Sequence, residues 1–260
     1  MTLIHADAHG NDFLLLAEAD VPANADRAAL ARQTCDRRTG TGADGLIFYV
    51  ETPAGAKMQL KNADGSYSEV SGNGVRCLGA WLAERRSLAV GGEVVIDTDA
   101  GPKRLTLLER TGRQFRFRTA MGVPASIRRL RLDVAGEPVD IATLNVGNPQ
   151  CVVLDRCDED ALHRIGAALA VHPHFPEGTN VELLRVDAPE KLSILIWERG
   201  VGPTASSGTG TCGAAVAAAC FAGAHRTVDV TAPGGTQRVE WTDEGLWLTG
   251  WAVLSAETSI

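Results

Sequence analysis

Two segments lying about half the chain apart share one design. Ser71-Gly72-Asn73-Gly74 precedes a helical run over 75–86, and Ser207-Gly208-Thr209-Gly210 precedes another over 211–224. Each is a hydroxyl residue, then Gly-x-Gly, then a helix, and each follows a strand-like run and a polar loop. A lone Gly-x-Gly is most often a turn or a cap. The pair, each with a serine in front, predicts two lobes of similar build, each opening a glycine-bared helix start. The first turn of a helix has N–H groups with no partner within the helix and a partial positive charge. Glycine lets a ligand come close to that backbone. Two such starts facing one another would grip a carboxylate from both sides and stabilise negative charge developing on it. Neither segment fits GxGxxG or GxxxxGK[ST], so a Rossmann or P-loop reading fails.

Between these segments the chain is dense in strand-like runs: 13–16, 45–50, 58–61, 93–97, 114–118, 138–144, 151–154, 192–197, 227–230 and 246–248. Glycine, proline, asparagine and aspartate punctuate them. Helical patterns are fewer, at 25–35, 74–86, 161–170 and 210–224. Many strands with few helices predict an α+β fold of two pseudo-equivalent lobes, each a mostly antiparallel sheet around a central helix. The expected lobes are 1–115 and 116–260.

A formal net charge of −7 argues against a nucleic-acid partner, which would need a basic stripe. No apolar run is long enough to span a membrane, and the N-terminus has no signal-peptide pattern. A cytoplasmic location is expected. None of Cys35, Cys77, Cys151, Cys157, Cys212 and Cys220 forms a CxxC pair. They are expected to be free thiols, most of them packed as small apolar residues, with no metal bound and no part in catalysis. No lysine stands in a Schiff-base context, and no pyridoxal phosphate, flavin, nicotinamide or other cofactor is expected.

Seven motifs, in order along almost the whole chain, resemble those of the diaminopimelate epimerases, whose fold is shared with proline racemases and PhzF-like isomerases. They are His9-Gly10-Asn11-Asp12-Phe13, Thr39 to Gly45, Asn62-Ala63-Asp64-Gly65-Ser66, Ser71 to Cys77, Val146-Gly147-Asn148-Pro149-Gln150, Phe175 to Val181, and Glu198 to Thr204 followed by Ser207-Gly208-Thr209-Gly210. The resemblance implies an active site between two lobes, working without pyridoxal phosphate or metal. Two thiols there act as base and acid on opposite faces of an α-carbon. By motif position, Asn11, Asn62, Asn148, Asn180 and Arg199 would bind substrate, along with Gly72, Asn73, Gly208 and Thr209 of the two loops. Glu198 would support a thiol.

Several positions depart from the family pattern. Ser71 and Ser207 stand where the resemblance implies the catalytic cysteines, Gln150 where it implies a supporting histidine, and Pro203 where it implies an acidic residue. At the N-terminus Asp7 and His9 replace a histidine and a leucine. A serine hydroxyl is a far weaker acid than a thiol unless a base adjoins it, and each general acid–base group contributes about 10²–10⁴-fold. An unperturbed histidine titrates near neutrality, which makes His9 the candidate replacement base. The leading expectation is a cofactor-independent isomerase of the epimerase or racemase type, acting on the α-carbon of a small amino acid or related carboxylate. Its acid–base set is expected to be non-standard: Ser71, Ser207, Glu198, His9 and Gln150. The alternatives are a ligand-binding pseudoenzyme and a tailoring enzyme for dehydration or cyclisation. Homodimerisation stays open.

Overall fold

A computed structural model of the chain describes residues 1–259. The chain divides into two compact units, Met1–Thr119 joined by the strand from Gly250 onward, and Ala120–Thr249. The expected boundary after residue 115 falls inside a strand, Gln114–Gly122. The C-terminal segment belongs to the first unit, because it pairs with the N-terminal strand from Thr2↔Ser259 to Asp7↔Val253.

The first unit contains β1 (Thr2–Ala8), β2 (Asn11–Ala17), α1 (Arg27–Cys35), β3 (Gly45–Thr52), β4 (Gly55–Asn62), the short β5 (Tyr67–Ser68), α2 (Gly72–Arg85), β6 (Glu93–Thr98), β7 (Gly101–Thr111) and most of β8 (Gln114–Gly122). The second contains β9 (Ala125–Val134), β10 (Glu137–Asn145), β11 (Pro149–Val153), α3 (Glu159–Ala161), a π turn (Leu162–Gly166), α4 (Ala167–Ala170), β12 (Asn180–Ala188), β13 (Lys191–Glu198), β14 (Gly202–Thr204), α5 (Gly208–Phe221), β15 (Thr227–Ala232), β16 (Gly235–Thr242) and the start of β17 (Gly245–Ser259).

The two units repeat one order of pairings. In the first, β1–β2 is antiparallel, β2–β3 parallel, β3–β4 antiparallel, β4–β6 parallel, and β6–β7 and β7–β8 antiparallel. In the second, β10–β11, β11–β12, β12–β13, β13–β15, β15–β16 and β16–β17 follow the same sequence of directions. Each parallel step needs a crossover. α1 and the 159–170 helical stretch make the first crossover of each unit, and α2 and α5 make the second. The expected pair of similar lobes, each wrapped around a central helix, is the fold observed.

Both central helices are sheathed on nearly every side. In α2 and in α5 alike the burial runs unbroken or nearly so from the first residue, with only the last turn emerging. A helix buried all round needs apolar or very small residues on every face, which explains Gly213-Ala214-Ala215-Val216-Ala217-Ala218 in α5. Gly79 in α2 is required by packing, since a Cβ there would lie 2.8 Å from Leu105 Cδ2. The first core gathers Ile47, Val75, Leu78, Leu82, Ile96, Phe115 and Phe117 around α2. The second gathers Val152, Leu184, Ile194, Val216, Val230 and Leu248 around α5.

Several strands went unread in the sequence: β1, β7, β9, β12 and β16, and the short β5 and β14. β9 is largely exposed on both faces, so its apolar residues do not alternate cleanly. β12 begins with five successive buried residues, among them Asn180 and Glu182, whose polar character hides a core strand. Both central helices begin two residues earlier than expected, at the first glycine of each Gly-x-Gly.

Leu78→Ala, in the middle of α2 with no exposed surface, is expected to destabilise the protein by about 2–5 kcal/mol through lost burial and a residual cavity. Chemical denaturation monitored by circular dichroism checks it.

Candidate active site

Each unit gathers its polar residues at the start of its central helix. Ser71 and Ser207 are the N-caps of α2 and α5, both with extended backbone. Ser71 Oγ accepts from Gly74 N–H at 3.1 Å, and Ser207 Oγ accepts from Gly210 N–H at 3.2 Å. Serine is among the best residues for this position, so both serines have a structural reason to be there. The N–H groups of Gly72, Asn73, Gly208 and Thr209 precede the capped one and have no acceptor within their own helix.

In the first unit a chain of side chains runs outward from α2. Arg76 donates to Asn73 Oδ1. Asn73 Nδ2 donates to Asn11 Oδ1 at 3.1 Å, and Asn11 Nδ2 donates to Asp44 Oδ2 at 2.8 Å. Arg37 bridges Asp44 and Asp12 at 2.9 and 2.7 Å, and His5 Nε2 meets Asp12 Oδ2 at 2.8 Å. Burial alone would raise the Asp12 carboxyl, but His5 and Arg37 outweigh it and hold that carboxyl well below the usual range. The network fixes Asn11 and Asn73 with their amides pre-oriented. Asn62 stands apart from it, donating to Ser66 Oγ at 3.0 Å across its turn.

His9 and Gly10 form the two-residue loop of the β1–β2 hairpin, with φ of 59° and 77°. These values fit a type I′ turn, which tucks His9 inward until it has no exposed surface. Its ring lies 4.6 Å from that of Trp251, and its Nε2 accepts from Trp251 N–H at 3.2 Å. To take a proton from a ligand through Nε2, His9 would have to give up that bond. Gly250 is required beside it, because a Cβ there would sit 2.2 Å from Arg76 Nη1 and 2.9 Å from His9 Nε2. Burial raises the nearby Asp7 carboxyl, against a hydrogen bond from Gly10 N–H that lowers it.

In the second unit, parallel pairing sets Gln150 beside Asn180, and antiparallel pairing carries Glu198 to the same strand end. Gln150 Nε2 donates to Asn148 Oδ1 at 2.6 Å, and its side chain rests on Gly213 of α5, where a Cβ would meet it at 3.2 Å. Asn180 Oδ1 accepts from Arg199 N–H at 2.9 Å, and its Nδ2 donates to Pro149 O at 3.4 Å. Arg199 Nη1 donates to Glu177 O at 3.2 Å. Asn148, Gln150, Asn180 and Arg199 therefore form one hydrogen-bonded neighbourhood with the strand ends. The structure also brings in Glu182, which motif matching missed. It is fully buried two residues beyond Asn180, on the same face of β12. Burial pushes its carboxyl well above the usual range, and the Glu198 charge adds to that. Period-two alternation from Asn180 was the signal that could have found it.

The family profile described as diaminopimelate epimerase matches residues 5–126 and 142–255. The chain is 38% identical over 251 residues to a diaminopimelate epimerase of Desulforudis audaxviator, covering 90% of this chain and 89% of that one. It is 35% identical over 272 residues to one of Desulfitobacterium hafniense, covering 96% and 94%. Among solved structures it is similar to a probable proline racemase from Agrobacterium radiobacter, with a TM-score of 0.77 at 17% identity, covering 100% of this chain and 92% of that one. It is also similar to a hydroxyproline epimerase from Agrobacterium vitis, with a TM-score of 0.72 at 16% identity, covering 99% and 91%. Fold and relatives together define the class, cofactor-independent isomerases of the epimerase and racemase type. Within that class the chain belongs to the diaminopimelate epimerase family.

Two measurements test this description. Glu182 keeps a proton in the folded state that it gives up when unfolded, so stability should fall as pH rises above the unfolded carboxyl value. The slope is at most about 1.4 kcal/mol per pH unit for one proton. Glu182→Gln should flatten that slope in denaturation curves taken between pH 5 and 8. Separately, Cys35, Cys77, Cys151 and Cys212 are buried and Cys220 is exposed. Burial also pushes the Cys35 thiol up to about 11 and those of Cys77 and Cys151 well above the ordinary value. Maleimide should label Cys220 first in the native protein and the four buried thiols only after unfolding, as read by peptide mass mapping.

Proposed function

We propose that this chain acts on the α-carbon of a small amino acid or related carboxylate, with hydroxyl groups where the family resemblance implies thiols. The observation that carries the proposal is the matched pair of buried helix starts, each capped by a serine Oγ on the third glycine-loop N–H. The remaining first-turn N–H groups suit a carboxylate and the negative charge that grows on it when an α-proton leaves. Asn11 and Asn73 in one unit, and Asn148, Asn180 and Arg199 in the other, are the substrate-binding side chains in this reading. Asn62, Gly72, Gly208 and Thr209 complete the set. Ser71, Ser207, Glu198, His9 and Gln150 are the candidate acid–base and supporting groups.

The relatives are named for diaminopimelate, and the structural neighbours for proline and hydroxyproline. We take diaminopimelate and proline as the first substrates to try. A cytoplasmic location fits this reading. Among the described residues no helix is long and apolar enough to cross a membrane. A ligand-binding protein without turnover is the second reading. It is favoured by one observation: both serine hydroxyls already accept cap hydrogen bonds, which explains their presence without catalysis.

The test is α-deuterium uptake by diaminopimelate and proline in deuterated water, followed by proton NMR. Wild type should exchange slowly. Ser71→Cys with Ser207→Cys and Gln150→His should exchange faster by about 10²-fold or more, the effect of restoring one well-matched acid–base group. No exchange in either protein would remove the α-carbon reading. Exchange in the triple variant alone would assign the wild type to binding without turnover. Loss of wild-type exchange in His9→Ala would identify His9 as the base, and its persistence would remove His9 from that role.

A further inference from the structure

The duplicated architecture allows the two central helices to be compared position by position. Ile47 lies two residues past Gly45 in β3, and Glu182 two residues past Asn180 in β12. Their parallel partners are Leu15 and Val152, and their antiparallel partners are Leu60 and Ile196. Both reach under the third residue of the glycine loop. A Cβ on Gly74 would meet Ile47 Cδ1 at 3.0 Å, and one on Gly210 would meet Glu182 Oε1 at 2.4 Å. One unit thus places a methyl group at this position, and the other a carboxyl.

The carboxyl has no packing purpose there. Glu182 has no exposed surface, and neither of its oxygens makes a hydrogen bond. An apolar residue fills the same position in the other unit, so the fold does not demand an acid. A buried polar group left unsatisfied is costly. Ser207 Cβ lies 3.2 Å from the point above Gly210 that Glu182 Oε1 also approaches. Glu182 Oε1 and Ser207 Cβ therefore both border the space that a Gly210 side chain would fill.

We propose that Glu182 is a positioning residue that acts through Ser207, holding and returning the proton that this serine exchanges. The step requires the Glu182 carboxyl to turn toward Ser207 Oγ, which already accepts from Gly210 N–H. In one direction the substrate α-C–H bond breaks and its proton goes to Ser207 Oγ. The serine's own proton passes to the ionised Glu182 carboxylate, and the electron pair stays on the α-carbon, spread into the substrate carboxylate. In the other direction Glu182 O–H reprotonates Ser207 as Ser207 protonates the carbon. Nothing is consumed. A serine needs an adjoining base for such work, and a carboxyl raised by burial holds a proton more firmly than an ordinary one. Ser71 has Ile47 in the equivalent place, so Ser207 is the proton-exchanging serine and Ser71 a binding one. Glu198 of β13 is the titratable group whose charge acts on Glu182, and Glu182 in turn raises Cys151 of β11, whose register places it on the other face of the sheet.

This inference rests on the proposed α-carbon chemistry, so its test has an arm that needs no substrate. The protonated Glu182 carbonyl stretch is identified by its absence in Glu182→Gln and by ¹³C-glutamate labelling. It is then followed by infrared spectroscopy across pH in wild type, Ser207→Ala and Ser71→Ala. Ser207→Ala should move its frequency or midpoint, and Ser71→Ala should leave both unchanged. A Glu182 band indifferent to Ser207→Ala would overturn the proposal, whatever the exchange assay shows. Absence of wild-type exchange alongside a shifted band would count against the α-carbon reading alone. Where wild type exchanges diaminopimelate or proline, Glu182→Gln should lower kcat at least tenfold with KM little changed, and should flatten the pH profile. Glu182→Ile should lose activity equally while raising Tm, as the residue used in the other unit. Wild-type kcat and pH profile in Glu182→Gln would sink the proposal.

Discussion

The hydrogen bond from a glycine N–H to the serine in front of it is the contact on which each half of this molecule depends. A helix buried from its first residue cannot leave its leading N–H groups to solvent. In α2 and α5 the serine satisfies the N–H three residues on, and holds the chain extended just before the helix begins. The sheet can then close around the rest of the helix. Without the cap, a buried donor would lose its partner, at a cost of about 1 kcal/mol or more. Serine serves this purpose well whatever its chemistry. The scaffold can therefore carry serine at these positions without structural penalty.

From that contact the polar groups can be understood as a second tier. In the first unit the network Arg76–Asn73–Asn11–Asp44–Arg37–Asp12 links the helix start to the β1–β2 hairpin and to the loop before β3. Each amide has its orientation fixed by a charged neighbour. In the second unit the corresponding strand ends use neutral amides, Asn148, Gln150 and Asn180, joined to backbone and to one another. The equivalence of Asn11 with Asn148 and of Gly45 with Asn180 follows from the strand registers. One architecture has thus been furnished with ionic supports in one copy and amide supports in the other.

Much of this was legible in the sequence, for a physical reason. Gly-x-Gly before an all-buried helix is a pattern that few other structures need, and its recurrence exposed the duplication. The alternation of glycine-bounded strands gave the sheet-rich class. What stayed hidden were features defined by pairing across distance. The return of the C-terminal strand to β1 carries no local signal, so the expected boundary after residue 115 left that strand in the wrong unit. Asp12, Arg37 and Asp44 lay within or beside recognised motifs, yet their ionic linkage depends on the loop before β3 meeting β2. His9 was read as a candidate base from its chemistry. Its turn conformation, its burial and its bond to Trp251 could be learned only from the fold.

Glu182 shows how duplication reveals a choice that a single copy conceals. In isolation, a buried acid on a strand could be an accident tolerated by a stable core. The other unit supplies the control, because Ile47 holds the register position beside Gly74 that Glu182 holds beside Gly210. Between two solutions to one packing problem, the apolar one is the more stable, since ionising or leaving unpaired a carboxyl at that depth opposes folding. Retaining the acid in only one copy therefore makes the two helix starts chemically unequal while leaving them geometrically alike. Under the proposed chemistry, only Ser207 then has a carboxyl nearby to which its proton can pass.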